Sequence, residues 1–321
     1  MSVPDEKYLH LLEGVEFRPI FIIGPHRSGT TVLHHILQET NCFNVVTTYH
    51  ILSYGEILTN SIEGREAEAK AALVQRFAGL GLANRIVDDS PVSPDHSEEY
   101  GFVIDDTAWQ ARINANNVHR LIELCRKIQY TAHNDKPILL KNPWDFSLFM
   151  YLHEAFPQAR FIFIHRHPLA VINSQLKFLR HLIAKPNPYM AMLSPGYARR
   201  FERPLRQRLA QTILETSWLN IAVRNRTRAF VKAADYYLDN ISQLPPAIYT
   251  ETSYEALCAD PLAGIHQVMT FLNLTPEHPV SPGSIRTRPL NLETDIQRYR
   301  QPILHRTRRY RQRFQYAESP T

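Results

Sequence analysis

Short, largely apolar runs, each followed by a helical stretch, predict a three-layer α/β/α fold with a central parallel sheet. Three segments carry that expectation: PIFII at 19–23, PILL at 137–140 and ARFIFIH at 159–165. A strand apolar on both faces must be covered on both, and alternation with helices supplies the parallel crossovers. In such sheets ligands bind beyond the carboxyl ends of the strands, so chemistry is expected in the residues just after each one.

The first run is followed by Gly24-Pro25, then by Val32, Leu33, Ile36 and Leu37 at helical spacing. This reads as strand, loop, helix. Residues 43–46 are a second short strand. Residues 62–83 and 106–130 read as helices, the latter with an apolar face of Ile113, Val118, Leu121, Ile122, Leu124, Cys125 and Ile128. Between them DDSPVSPDHSEEY reads as a loop opening a helix. PILL ends at Lys141-Asn142-Pro143, and a helix follows as far as Phe156. After ARFIFIH, His167-Pro168 breaks the strand and 169–182 resumes as helix. Residues 180–245 read as a helical excursion or lid, Pro- and Tyr-rich at 186–204 and an Arg-rich helix or helix pair at 205–239. A last strand at 247–250 precedes helices at 253–259 and 261–272. Residues 281–321 form a basic tail. With no repeat and no linker, 1–321 read as a single domain.

The chain is 44% hydrophobic and 21% charged, which excludes disorder, collagen and coiled coil. Charge is unevenly spread. Residues 1–140 carry 12 Lys+Arg against 18 Asp+Glu, residues 141–321 carry 24 against 13, and 28 of the 36 cations are Arg. The planar guanidinium suits phosphate and sulfate, so an anionic ligand near the second half is expected. Cys42, Cys125 and Cys258 stand far apart, without disulfide-framework or zinc spacing. The N-terminus lacks a signal-peptide pattern and no run is long enough to span a membrane, so a cytoplasmic protein of a reducing compartment is expected.

The loop after the first strand is Gly24-Pro25-His26-Arg27-Ser28-Gly29-Thr30-Thr31. Its glycines have the spacing of the phosphate-binding motif GxxxxGK[ST], in the strand–loop–helix context that motif requires, so the fold is P-loop-like. Inward-turned N–H groups and the helix N-terminus suit an anion. Thr30 replaces the lysine that bridges the β- and γ-phosphates of a nucleoside triphosphate, which argues against ATP or GTP hydrolysis. A cation, Arg27, stands inside the loop instead.

The run from Ile23 to Leu33 resembles the 5′-phosphosulfate-binding loop of sulfotransferases that use 3′-phosphoadenosine 5′-phosphosulfate (PAPS). Its PxRSGTTxL form is similar to that of bacterial members and of the tyrosylprotein sulfotransferases. A second segment, Arg166-His167-Pro168 with Ser174 eight residues beyond Arg166, resembles the family's 3′-phosphate motif. An Arg at a strand tip and a Ser two helical turns along can reach one phosphate. His167 departs from that motif, which usually has an acid there. Leu139-Leu140-Lys141-Asn142-Pro143 resembles the LKxP strand end, whose lysine contacts the sulfuryl group or the leaving 5′-phosphate. Ser253-Tyr254-Glu255-Ala256-Leu257, followed by Asp260-Pro261, resembles the signature whose tyrosine contacts the adenine. The resemblance covers roughly residues 19–275. It implies PAPS as co-substrate, PAP as product and no metal; it implies a role for Arg27 and Lys141 in charge stabilisation, and for Gly24 to Thr31, Arg166, Ser174 and Tyr254 in donor binding. Arg286 is a candidate for closing over the 3′-phosphate. The nine Arg between 286 and 313 read equally as a solvated helix or one facing a second copy in a homo-oligomer.

The general base is less clear from the residues. Neither the His of cytosolic members nor the Glu of tyrosylprotein-type members has a counterpart here. His50 is one candidate, since an imidazole suits base chemistry at neutral pH. Glu98 or Glu99 is the second and Asp145 the third. The acceptor is expected to be a small molecule or glycan alcohol, with loops 48–60, 84–105 and 180–205 forming its pocket. Three alternatives stand beside this reading: a P-loop small-molecule kinase, a nucleotide-binding relative without turnover, and an RNA- or polyanion-binding protein using the 199–228 face. The last lacks any nucleic-acid module, so no nucleic-acid partner is expected.

Overall fold

The computed structural model describes residues 4–85, 91–105, 111–202, 207–208, 211–212, 220–280 and 290–319. Five parallel strands form one sheet in the order β2-β3-β1-β4-β5. They are β1 (Pro19–Ile23), β2 (Asn44–Val45), β3 (Ile138–Lys141), β4 (Arg160–His165) and β5 (Tyr249–Ser253). β1 pairs with β3 on one side and β4 on the other. The strand order therefore reverses at β1, and the crevice at its carboxyl end is the switch point where open sheets bind ligands.

Strand alternation sorts the core into two layers. Phe21, Ile23, Ile138, Leu140, Phe161 and Phe163 pack with Leu121, Leu124, Ile128, Phe149 and Tyr237 on one face. Ile20, Ile22, Leu139, Ile162 and Ile164 pack on the other with Leu33, Ile36 and Leu37 of helix Thr30–Glu39 and with Ile265, Val268 and Met269 of helix Pro261–Leu272. The expected three-layer α/β/α class is the observed one. Beyond β4, helix Pro168–Ala184 packs against helix Ile221–Asn240 and the carboxyl-terminal helices 294–313 in a further cluster.

Several boundaries move. Helix Val118–Ala132 starts well after 106, and residues 111–117 are not helical. There Asn117 caps a turn and Asp145 takes the Ile113 N–H at 2.9 Å, so side chains, not a helix, satisfy the backbone. Among the early elements without a sequence expectation are the 3-10 helix Pro4–Leu12 and helix Ile57–Ile62. Asp5 joins them by accepting the N–H groups of Leu58 and Thr59, with buried Lys127 as its ion-pair partner at 3.0 Å. Residues 188–202 are three short helical pieces. Of the basic tail, 294–313 forms three helices whose cations are partly paired: Arg309 with Asp235 and Asp239, Arg313 with Glu251.

Candidate functional site

The Gly24–Thr31 loop closes tightly. A Cβ on Gly24 would lie 2.5 Å from the Ile164 carbonyl oxygen, and one on Gly29 would lie 2.5 Å from the Tyr254 ring. Gly29 adopts φ 103 and starts the helix. Arg27 itself is left-handed, at φ 72. That conformation costs a non-glycine residue on the order of 1–3 kcal/mol and persists only where the surroundings hold it. Three contacts do so: Ser28 N–H to the Pro25 carbonyl at 2.9 Å, the Gln175 amide to the His26 carbonyl at 2.8 Å, and Arg166 to the Arg27 carbonyl at 3.2 Å. Left-handed Arg27 and Gly29 flank Ser28, an alternation of handedness of the kind found in anion-binding nests. Ser28 Oγ is fully buried there and has no hydrogen-bond partner among the described residues, as expected of a donor reserved for a ligand.

The second motif docks onto this loop. β4 sends Phe161, Phe163 and His165 to one face and Ile162, Ile164 and Arg166 to the other. Arg166 therefore reaches the β1 loop, while His165 stacks on Phe314 at 3.8 Å. Arg27 Nε donates to Ser174 Oγ at 3.1 Å. His167 accepts the Leu169 N–H at 3.2 Å and so caps helix Pro168–Ala184, the service an acid would perform there.

Lys141, buried at the end of β3, donates to Thr31 Oγ1 at 3.1 Å and pairs with Glu99 at 3.5 Å. Glu99 is the less buried of the adjacent acids, and burial raises its carboxyl above the ordinary range despite the opposing pull of Lys141. Glu98 is fully buried and committed: Tyr189 OH donates to it at 2.5 Å, and Arg85 lies 3.4 Å away.

His50 is engaged by its own helix. It is the third residue of a capping box on helix Thr48–Leu52, its Nδ1 accepting the Thr47 N–H at 3.1 Å. The Val45 carbonyl holds it too, and burial lowers its pKa to about 4. Asp145 is also occupied. Tyr100 OH and Asn142 each donate to it at 2.7 Å and the Ile113 N–H at 2.9 Å, while desolvation raises its pKa to about 6.

Tyr254 lies under the Arg166 guanidinium, 4.0 Å from ring centre to cation, and against Gly29. Arg286 lies outside the described residues. The motifs left unseen a wall beside the loop: His26 stacks on Trp144 at 4.5 Å and meets Phe178 edge-on at 4.8 Å. Only the position of Trp144, just after Pro143, hinted at it. No group of His, Cys, Asp or Glu suited to a metal occurs among the described residues, and no described helix is long and apolar enough to cross a membrane.

No curated protein matches the chain in sequence. Its fold is similar to that of sulfotransferase STF9 from Mycobacterium avium, with a TM-score of 0.64 at 14% identity, covering 97% of this chain and 81% of that one. Sulfotransferase STF1 from Mycobacterium tuberculosis gives a TM-score of 0.55 at 16% identity, covering 85% of this chain and 73% of that one. The sulfotransferase family matches residues 19–214. Because that segment runs from the start of β1 through both phosphate motifs and past helix Pro168–Ala184, the chain belongs to the sulfotransferase family.

Proposed function

We propose that the protein transfers a sulfuryl group from PAPS to a hydroxyl or amine of a small-molecule or glycan acceptor and releases PAP. One observation carries this reading. The Arg27–Ser174 hydrogen bond and the Arg166–Arg27 hydrogen bond join two motifs separated by more than a hundred residues into one basic cluster after β1 and β4. The loop N–H groups, Ser28 and Arg27 would hold the 5′-phosphosulfate, and Arg166 with Ser174 the 3′-phosphate. The donor supplies the activated sulfuryl group and a phosphate leaving group. Transfer breaks the S–O bond to that phosphate as the acceptor oxygen bonds sulfur, and the acceptor proton must leave. Lys141 and Arg27 would stabilise charge on the leaving oxygen. Glu99 would take the proton, since it is the one candidate base beside Lys141 that is neither capping a helix nor fully engaged.

The departure of Thr30 from the lysine of triphosphate-binding loops sets this reading against a small-molecule kinase. Thermal unfolding with PAP and with ATP and magnesium separates the two. PAP is expected to raise the melting temperature and Arg166→Ala to abolish the rise. A rise with ATP and magnesium but none with PAP would favour the kinase. Labelled sulfate appearing on an acceptor excludes the form without turnover.

A further inference from the structure

Arg166 stands between two histidines, and the carboxyl-terminal segment holds both. His165 stacks on Phe314 with ring centres 3.8 Å apart, and its Nδ1 shares a hydrogen bond of 2.8 Å with Tyr310 OH. His167 Nε2 lies 2.8 Å from the Ala317 carbonyl, and the ring meets Tyr316 edge-on at 5.5 Å. A third hold runs through Glu255, the neighbour of the Tyr254 ring that lies under the Arg166 guanidinium. The Glu255 carboxylate accepts the His167 N–H at 2.9 Å on one oxygen and Tyr316 OH at 3.3 Å on the other. Residues 310–317 thus grip the residue before Arg166 and the residue after it. They lie outside the family-matched residues 19–214.

The imidazole at 167 suits this hold. Its Nδ1 accepts the Leu169 N–H at 3.2 Å, so the ring proton stands on Nε2 and is donated to the Ala317 carbonyl. A carboxylate at 167 would cap the helix as well but has no proton to give that carbonyl. His167 therefore does two things at once: it caps helix Pro168–Ala184, which carries Ser174, and it ties the carboxyl-terminal segment to that cap. The segment is itself anchored. The Tyr316 N–H donates to the Arg311 carbonyl at 2.9 Å, and Arg300 donates to the Glu318 carbonyl at 3.0 Å.

We propose that residues 310–317 are a positioning strap that aims Arg166 at a 3′-phosphate, so that His167 and Tyr316, acting through Arg166, set the preference for a 3′-phosphorylated adenosine nucleotide. A guanidinium fork gains most from a phosphate when its direction is fixed beforehand, and a backbone held on both sides loses less freedom on binding. This rests on the donor reading of the same site.

The test uses the full chain and two nucleotides, PAP and adenosine 5′-monophosphate, which lacks the 3′-phosphate. In calorimetric titration the wild type is expected to bind PAP about ten-fold or more tighter, and Arg166→Ala to remove the difference. No PAP binding, or equal binding of the two, rejects the donor reading and the strap with it. Given that preference, His167→Asn keeps a capping side chain but is too short to reach Ala317. His167→Asn and Tyr316→Ala should each weaken PAP about ten-fold and leave adenosine 5′-monophosphate within about two-fold. Tyr316→Phe keeps the ring and loses the Glu255 bond; it should fall between, and it replaces Tyr316→Ala if that variant does not fold. Unchanged PAP affinity in His167→Asn and the Tyr316 variants overturns the proposal. So does an equal loss for both nucleotides, the result a merely structural segment would give.

Discussion

Glu99 and Lys141 form an ion pair of 3.5 Å at the end of β3, with Lys141 also bound to the first turn of the loop helix through Thr31. The carboxylate is held beside a cation, yet burial outweighs that cation and raises its pKa above the ordinary 4.5. A base works when deprotonated, so turnover should rise with pH through a limb lying above 4.5. Glu99→Gln should lower kcat by about 10²–10⁴-fold and remove the limb. PAP affinity should stay, since Glu99 is an anion and pairs with Lys141. A kcat–pH profile with an unaltered limb in Glu99→Gln would assign the base elsewhere.

Arg27 and Ser174 are coupled directly, through the 3.1 Å hydrogen bond. Each substitution, Arg27→Ala or Ser174→Ala, should weaken PAP binding. The double variant should lose less than the two combined, with a coupling on the order of 0.5–3 kcal/mol. Calorimetric titration of PAP into the four proteins measures it; additive losses would mean that the two motifs act on the donor independently.

The loop glycines are set by contact as much as by handedness. Gly24→Ala drives a Cβ to 2.5 Å from a backbone carbonyl that cannot turn aside, that of Ile164. Gly29→Ala combines φ 103 with a clash against Tyr254. Both should destabilise by about 1–3 kcal/mol in urea unfolding. Tyr254→Ala should relieve part of the Gly29→Ala loss and none of the Gly24→Ala loss. Equal relief of both would mean that the loop shifts as one unit.

These contacts mark how far the sequence could be read. Arg166 and Ser174 were legible because strand alternation and an eight-residue spacing are local facts, and the same local logic identified every sheet strand. The base was not legible. His50, Glu98, Glu99 and Asp145 are of suitable type, and only tertiary partners separate them: a helix cap takes His50, Tyr189 and Arg85 take Glu98, and Tyr100 with Asn142 takes Asp145. Tyr254 was legible only as an adenine-side candidate; that its ring lies under Arg166 and against Gly29 is a tertiary fact no local pattern carries.

His50 offers a separate test of stability. Its Nδ1 must be unprotonated to accept the Thr47 N–H, and a protonated ring has no acceptor there. Its pKa is about 4 folded against 6.5 for a free imidazole, with burial the leading cause. Between those values the unfolded chain binds the extra proton, so stability falls as pH drops from 6.5 through about 4 and is unaffected by this group above 6.5. The His26, His34, His165 and His167 pKa values are lowered as well, chiefly by burial, and act in the same direction. His50→Ala should lose the cap, about 0.5–2 kcal/mol at neutral pH. It should also flatten part of the acid-side fall while leaving kcat within about two-fold, since the ring serves its own helix cap. Urea unfolding at a series of pH values, run beside turnover, checks both; a large loss of kcat with unchanged stability would return His50 to the reaction.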